Sequence, residues 1–66
     1  MRIWDCEIWI VSSKKDSDYW EHWCTLTVVA DSIQEAIQKA LEDMKEYEFY
    51  KVEVRKVELV REVDVE

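Results

Sequence analysis

His22 and Cys24 stand two residues apart in the run Glu21-His22-Trp23-Cys24, and with Cys6 they are the side chains here that could ligate a metal or form a nucleophile with its base. Thiolate and imidazole ligands suit zinc, and alternation places all three residues on one nominal face of a hairpin. A closed zinc site needs four ligands, however, and these three lack the paired C-x₂-C spacing. No metal and no cofactor is therefore expected. A cysteine–histidine nucleophile needs an accessible, activated thiol beside an oxyanion site, whereas Cys24 falls on the strand face that a helix should cover. The many carboxylates occur singly at outward positions, where solvation accounts for them better than acid–base catalysis. The chain reads as a non-enzyme, with no catalytic residue.

Positioning these residues falls to the stretch from Trp23 to Met44. Cys24, Leu26, Val28 and Ala30 alternate with Trp23, Thr25, Thr27 and Val29, the period of a strand. From Ile33 the period changes. Ile33, Ala36, Ile37, Ala40, Leu41, Met44 and Tyr47 form one apolar stripe at helical spacing, with Gln34, Glu35, Gln38, Lys39, Glu42, Asp43 and Glu46 between them. Ser32 and Glu35 have the spacing of a capping box, so the helix should begin at Ile33 and run to about Glu46 or Tyr47.

Ahead of this unit, Ile3 to Ser12 alternates, with Trp4, Cys6, Ile8 and Ile10 forming a wholly apolar side that should face the helix. Ser13 to Asp18 has loop composition and makes the two strands a hairpin. Two registers put the apolar sets on one side: Cys6 opposite Cys24 with Trp9 opposite Glu21, or Ile8 opposite Cys24 with Trp9 opposite Trp23. The last segment, from Lys51, slips phase, because Val52 and Val54 are even whereas Val57, Leu59, Val63 and Val65 are odd. Either a bulge near Arg55 and Lys56 restores the face, or the far half turns away from the helix.

The expected fold is α+β: ββαβ, a three-stranded antiparallel sheet in order 2-1-3 with one helix on one face. The competing order is 1-2-3, with the second and third strands parallel. In the favoured order the third strand lies at a sheet edge, where its Glu53, Arg55, Glu58 and Arg61 guard against stray pairing or receive a partner strand. On the face away from the helix, Trp9, Val11, Trp23, Thr25, Thr27 and Val29 would be left uncovered. Such a patch marks an interface with another protein or with a second copy.

At 66 residues the chain is a single small domain, with four Trp, three Tyr and one Phe to supply apolar area. It has no Gly and no Pro, which excludes glycine-rich phosphate loops. No apolar run reaches membrane-spanning length and the N-terminal stretch lacks signal-peptide character, so a cytoplasmic protein with free thiols is expected. Net charge is −7, and Asp31, Glu35, Glu42, Asp43, Glu46 and Glu48 outweigh Lys39 and Lys45 around the helix. That balance repels a phosphate backbone, so direct nucleic-acid binding is not expected, nor is membrane association. A basic protein surface is the complementary partner.

The order of elements, with Ala30, Ser32, Glu35, Ala36, Ile37 and Ala40 at the strand–helix junction and the aromatic-led run FYKVEVRKVELV from Phe49, resembles the small bacteriophage-encoded inhibitors of bacterial RNA polymerase. The likeness spans roughly residues 8 to 60. It implies a short strand-strand-helix-strand protein that grips a host macromolecule through charged surface residues, although this chain differs in its tryptophan-rich hairpin and lacks the family's proline-containing end. Two functions follow as expectations. One is an inhibitor of host RNA polymerase or of an antiviral defence nuclease complex such as CRISPR, contacting its target through the hairpin residues Trp9, Val11, Trp23, Thr25 and Thr27 or through the acidic helix. In a nucleic-acid channel Glu35, Glu42, Asp43 and Glu46 would mimic a row of phosphates. The other is an assembly module that forms a homodimer through its exposed sheet.

Overall fold

A strand with one wholly apolar side needs neighbours on both edges and a cover on that side, and the first strand obtains all three. The computed structural model describes residues 1–16 and 18–63. In it β1 (Arg2–Val11) pairs with β2 (Glu21–Ala30) on one edge and with β3 (Lys51–Glu62) on the other. The order is β2-β1-β3 and every pairing is antiparallel. Between β2 and β3 lies α1 (Ile33–Asp43), followed by a 3-10 turn at Met44–Glu46. This is the expected ββαβ, α+β fold. The loop position Ser17 and the alternation at Val65 lie outside the described residues.

The core is the even side of β1 under the helix. Cys6, Ile8 and Ile10 are fully buried and Trp4 nearly so, against Val28, Ala30, Ala36, Ala40 and Met44. The buried Trp4 indole donates to the Ala30 carbonyl at 3.0 Å, which satisfies its one polar atom. On α1 the buried ridge is Ala36 and Ala40, continued by Met44 in the 3-10 turn, while Leu41 is 37% exposed and Ile33 is also exposed. Small side chains explain this choice of ridge. They let the helix backbone descend onto the sheet, where the Cys6 thiol lies 3.9 Å from the Ala36 carbonyl.

Ser32 caps the helix as its spacing predicts, its hydroxyl accepting from the Glu35 amide at 3.2 Å. The return bond differs from the expected box, because the Glu35 carboxylate accepts from the Asp31 amide, at 3.4 Å. At the other end the α-helical part stops at Asp43, and a 3-10 turn carries the helical segment to Glu46, about where the sequence predicts its end. Without glycine there is no left-handed cap, and no described residue has positive φ. The chain instead tightens into the 3-10 turn, closed by the Tyr47 amide donating to the Met44 carbonyl at 3.1 Å.

Three irregularities in the ladders decide which side chains share a face. Arg2 to Ile8 of β1 follow the register with Ile8 opposite Cys24, but Trp9 then pairs with His22, leaving Trp23 as a bulged extra residue. On the β3 side the register shifts at Arg55, so Val52 and Val54 and then Val57 and Leu59 all stay opposite the even residues of β1. The bulge alternative for the third strand is the one the chain adopts. A second shift, at Val60, has no counterpart in the sequence reading.

The molecule extends 50 Å along its longest axis. A helix of 11 residues spans only about 16 Å, so it cannot cover the full length of the sheet. Leu59 and Val60, near the far end of β3, are consequently about half exposed.

Candidate partner-binding site

The bulge at Trp23 redistributes the residues that alternation had grouped on one uncovered face. Trp23 turns to the helix side, where its ring meets Phe49 edge-on at 4.9 Å and Tyr47 at 5.7 Å between centroids. Tyr47 and Phe49 stack on each other at 5.5 Å, and Phe49 packs against the core. The expected neighbourhood of Trp23 with Trp9 therefore does not form. Val11 is also corrected: it is fully buried at the sheet end where both connections converge and where the Tyr50 amide donates to its carbonyl at 2.9 Å.

Trp9 remains on the face opposite the helix, but it is not bare. The Arg55 guanidinium lies 4.6 Å above its ring and 5.0 Å from the ring of Trp20. His22 meets Trp9 edge-on at 5.6 Å, and the indole N–H donates to Glu7 at 2.6 Å. The middle of that face is polar, and of the apolar residues in the expected patch only Val29, paired with Ile3 toward the other end, stays exposed on it. Thr25 pairs with Glu7 and Thr27 with Asp5, and the Thr27 hydroxyl donates to the Asp5 carboxylate at 2.7 Å. On the β3 side Lys56 lies opposite Glu7 and forms a 3.1 Å ion pair with Glu58. The hydrogen bond that the Lys56 ammonium donates to Glu58, reinforced by the carboxylate's charge, holds it above the usual lysine range. The continuous apolar patch is thus replaced by a ladder of threonines and charges between one covered tryptophan and the Ile3–Val29 pair.

The same bulge separates His22 from the thiols. His22 is exposed beside Trp9, whereas Cys6 is buried opposite Leu26, and Cys24 is half-buried opposite Ile8 on the core side. Burial raises both thiols above the ordinary cysteine value, helped at Cys6 by the charge of Asp5, so neither is an activated nucleophile. Among the described residues no cluster of three or more His, Cys, Asp or Glu side chains is placed to hold a metal ion.

The acidic set of the helix also divides. Glu35 is occupied at the N-terminal end, capping Asp31 and pairing with Lys39 at 3.3 Å, while the Lys39 ammonium reaches the Val29 carbonyl at 2.6 Å and shields that part of β2. Glu42, Asp43 and Glu46 are exposed at the other end, and none of them joins an ion pair among the described residues. Asp43 and Glu46 line an open groove of about 210 Å³ with Trp23, Cys24, Leu26, Met44 and Tyr47. Of the sequence-derived candidates, the structure brings together Trp23, Asp43 and Glu46. Tyr47 belongs with them and went unnoticed as a binding residue; its signal was its position next to Glu46, in line with the helix stripe.

Fold and groove define a class, a small ββαβ domain with a groove lined by aromatic and acidic residues at the end of its helix. No family model, curated protein or solved structure matches the chain. No helix among the described residues is long and apolar enough to cross a membrane.

Proposed function

We propose that this chain is a non-enzymatic protein-binding module that docks on a basic surface of a host macromolecular complex and inhibits it, the target being RNA polymerase or a defence nuclease. The observation that carries the reading is the unbalanced C-terminal end of α1. Carboxylates at Glu42, Asp43 and Glu46 sit at the negative end of the helix dipole, no basic residue occupies the last turn of α1, and Lys45 in the 3-10 turn is outnumbered by three like charges within about one turn of each other. That arrangement costs the isolated fold stability, and violations of local rules concentrate where function requires them. The phosphate-mimic row shortens accordingly to Glu42, Asp43 and Glu46. The resemblance to small phage inhibitors points to the same class of partner.

The test is the double reversal Glu42→Lys with Asp43→Lys. Removing two misplaced negative charges should stabilise the fold by roughly 0.3–1 kcal/mol per site at low salt. The same change should weaken binding to immobilised bacterial RNA polymerase, or to a purified defence nuclease complex, at least tenfold, and the wild-type affinity should fall as salt rises. A protein that binds neither complex, or a reversal that binds as well as wild type, overturns the proposal.

A second reading, homodimeric assembly, is favoured by β3: a twelve-residue edge strand with half-exposed Leu59 and Val60. The dimer contact would then be this edge, not the polar sheet face. A Val60→Glu variant that remains dimeric in sedimentation equilibrium would count against it.

A further inference from the structure

The geometry points to the groove between β2 and the end of α1 as a receptor for one arginine side chain projecting from the partner protein. This rests on the basic-partner reading and names the group that reading leaves open. The groove has the three parts an arginine needs. Leu26 and Met44 give apolar lining for its methylene stem, Trp23 and Tyr47 give aromatic surface for its guanidinium, and Asp43 and Glu46 give carboxylates to meet its forked donors.

Exposure supports this division of labour. Trp23 is 43% and Tyr47 48% exposed although both belong to a three-ring cluster, so each ring keeps surface free for another group. The volume of about 210 Å³ suits one long side chain, not a folded segment. Charge selects its sign, since two acidic residues in the lining repel phosphates and acidic side chains and no ion pair among the described residues neutralises either of them.

Arginine is favoured over lysine because its planar, weakly hydrated guanidinium can stack and bond in the plane at once, whereas an ammonium is a compact, strongly hydrated charge. The chain solves the same problem internally: Arg55 lies 4.6 Å from the Trp9 ring and 5.0 Å from the Trp20 ring while pairing with Glu53 at 3.5 Å. The groove offers an equivalent aromatic and acidic environment with no arginine of its own.

The experiment titrates the full chain, followed by ¹H–¹⁵N correlation spectra, with a nona-arginine peptide, a nona-lysine peptide and a single-stranded DNA oligonucleotide. The arginine peptide should shift the Trp23 indole resonance and the Asp43 to Tyr47 amides, and it should bind several-fold more tightly than the lysine peptide. The isosteric pair Asp43→Asn with Glu46→Gln, at surface positions that leave the core intact, should lower that affinity about tenfold or more. A Trp23→Phe variant keeps a ring in the cluster and should lose a smaller part of it. Equal binding of the two peptides, or arginine-peptide binding that the isosteric pair leaves unchanged, overturns the arginine site while leaving the basic-partner reading to the polymerase and nuclease measurement above. Oligonucleotide binding with shifts at Trp23 would overturn both.

Discussion

Shaving three carbons from Ile8 and the same three from Leu41 should have unequal costs, and the inequality tests how the helix is seated. Each truncation to Ala removes about 2.4 kcal/mol of transfer free energy at ~0.8 kcal/mol per methylene. Ile8 is fully buried in the middle strand. A closed void of roughly 50 Å³ there, at ~24 cal/mol per Å³, adds about 1 kcal/mol, so Ile8→Ala should cost ~3–4 kcal/mol. Leu41 is 37% exposed, so about two-thirds of its transfer free energy is at stake and the space it leaves opens to water. Leu41→Ala should therefore cost only ~1–1.5 kcal/mol, below the ~2–4 expected of a core leucine. A chain of 66 residues has roughly 3–10 kcal/mol in total. Ile8→Val, at ~1 kcal/mol, keeps the comparison measurable if the alanine variant unfolds. Urea titration followed by tryptophan fluorescence reads all three variants. Equal losses at Ile8 and Leu41, or a larger loss at Leu41, would mean that the ridge Ile33-Ile37-Leu41, not Ala36-Ala40-Met44, faces the sheet.

Two further outcomes follow from local chemistry. Ser32→Ala removes the acceptor of the Glu35 amide and should cost ~1 kcal/mol, read from the urea midpoint; an unchanged midpoint would deny the cap a role. The raised thiols of Cys6 and Cys24 give stability a dependence on alkaline pH. Their folded values exceed the unfolded ones, so the contribution is complete below about pH 8.5 and is lost as pH climbs through the folded values. Wild type should lose more stability between pH 7 and 9.5 than the Cys6→Ala, Cys24→Ala variant, and parallel curves would contradict the assignment.

Much of the fold was legible because it is written in period. The switch at Asp31–Ile33, the Ser32 cap and the even side of β1 each rest on spacing that only one backbone geometry satisfies. The shift at Arg55 was legible for a related reason, since charged residues flanking the valines on each side expose a slip in phase. At Val60 no such contrast exists, because Leu59 and Val60 are both apolar and alternation carries no mark there. Trp23 is the instructive failure. Alternation through His22-Trp23-Cys24 is unbroken in the sequence, and nothing local announces a bulge. The indole packs against the ring pair Tyr47 and Phe49, distant in sequence and brought to it by the helix and its 3-10 turn. The uncovered face was misread for the same reason, and also because Asp5 and Glu7 share that face with Trp9 and make it polar.

The placement of Trp23 carries the groove and everything proposed for it, and a two-dimensional NOE spectrum of the free protein tests it directly. Cross-peaks from the Trp23 indole to the rings of Tyr47 and Phe49 are expected, with Trp9 instead showing contacts to His22. Cross-peaks joining Trp23 to Trp9, with none to Tyr47 or Phe49, would return Trp23 to the open face of the sheet and abolish the groove.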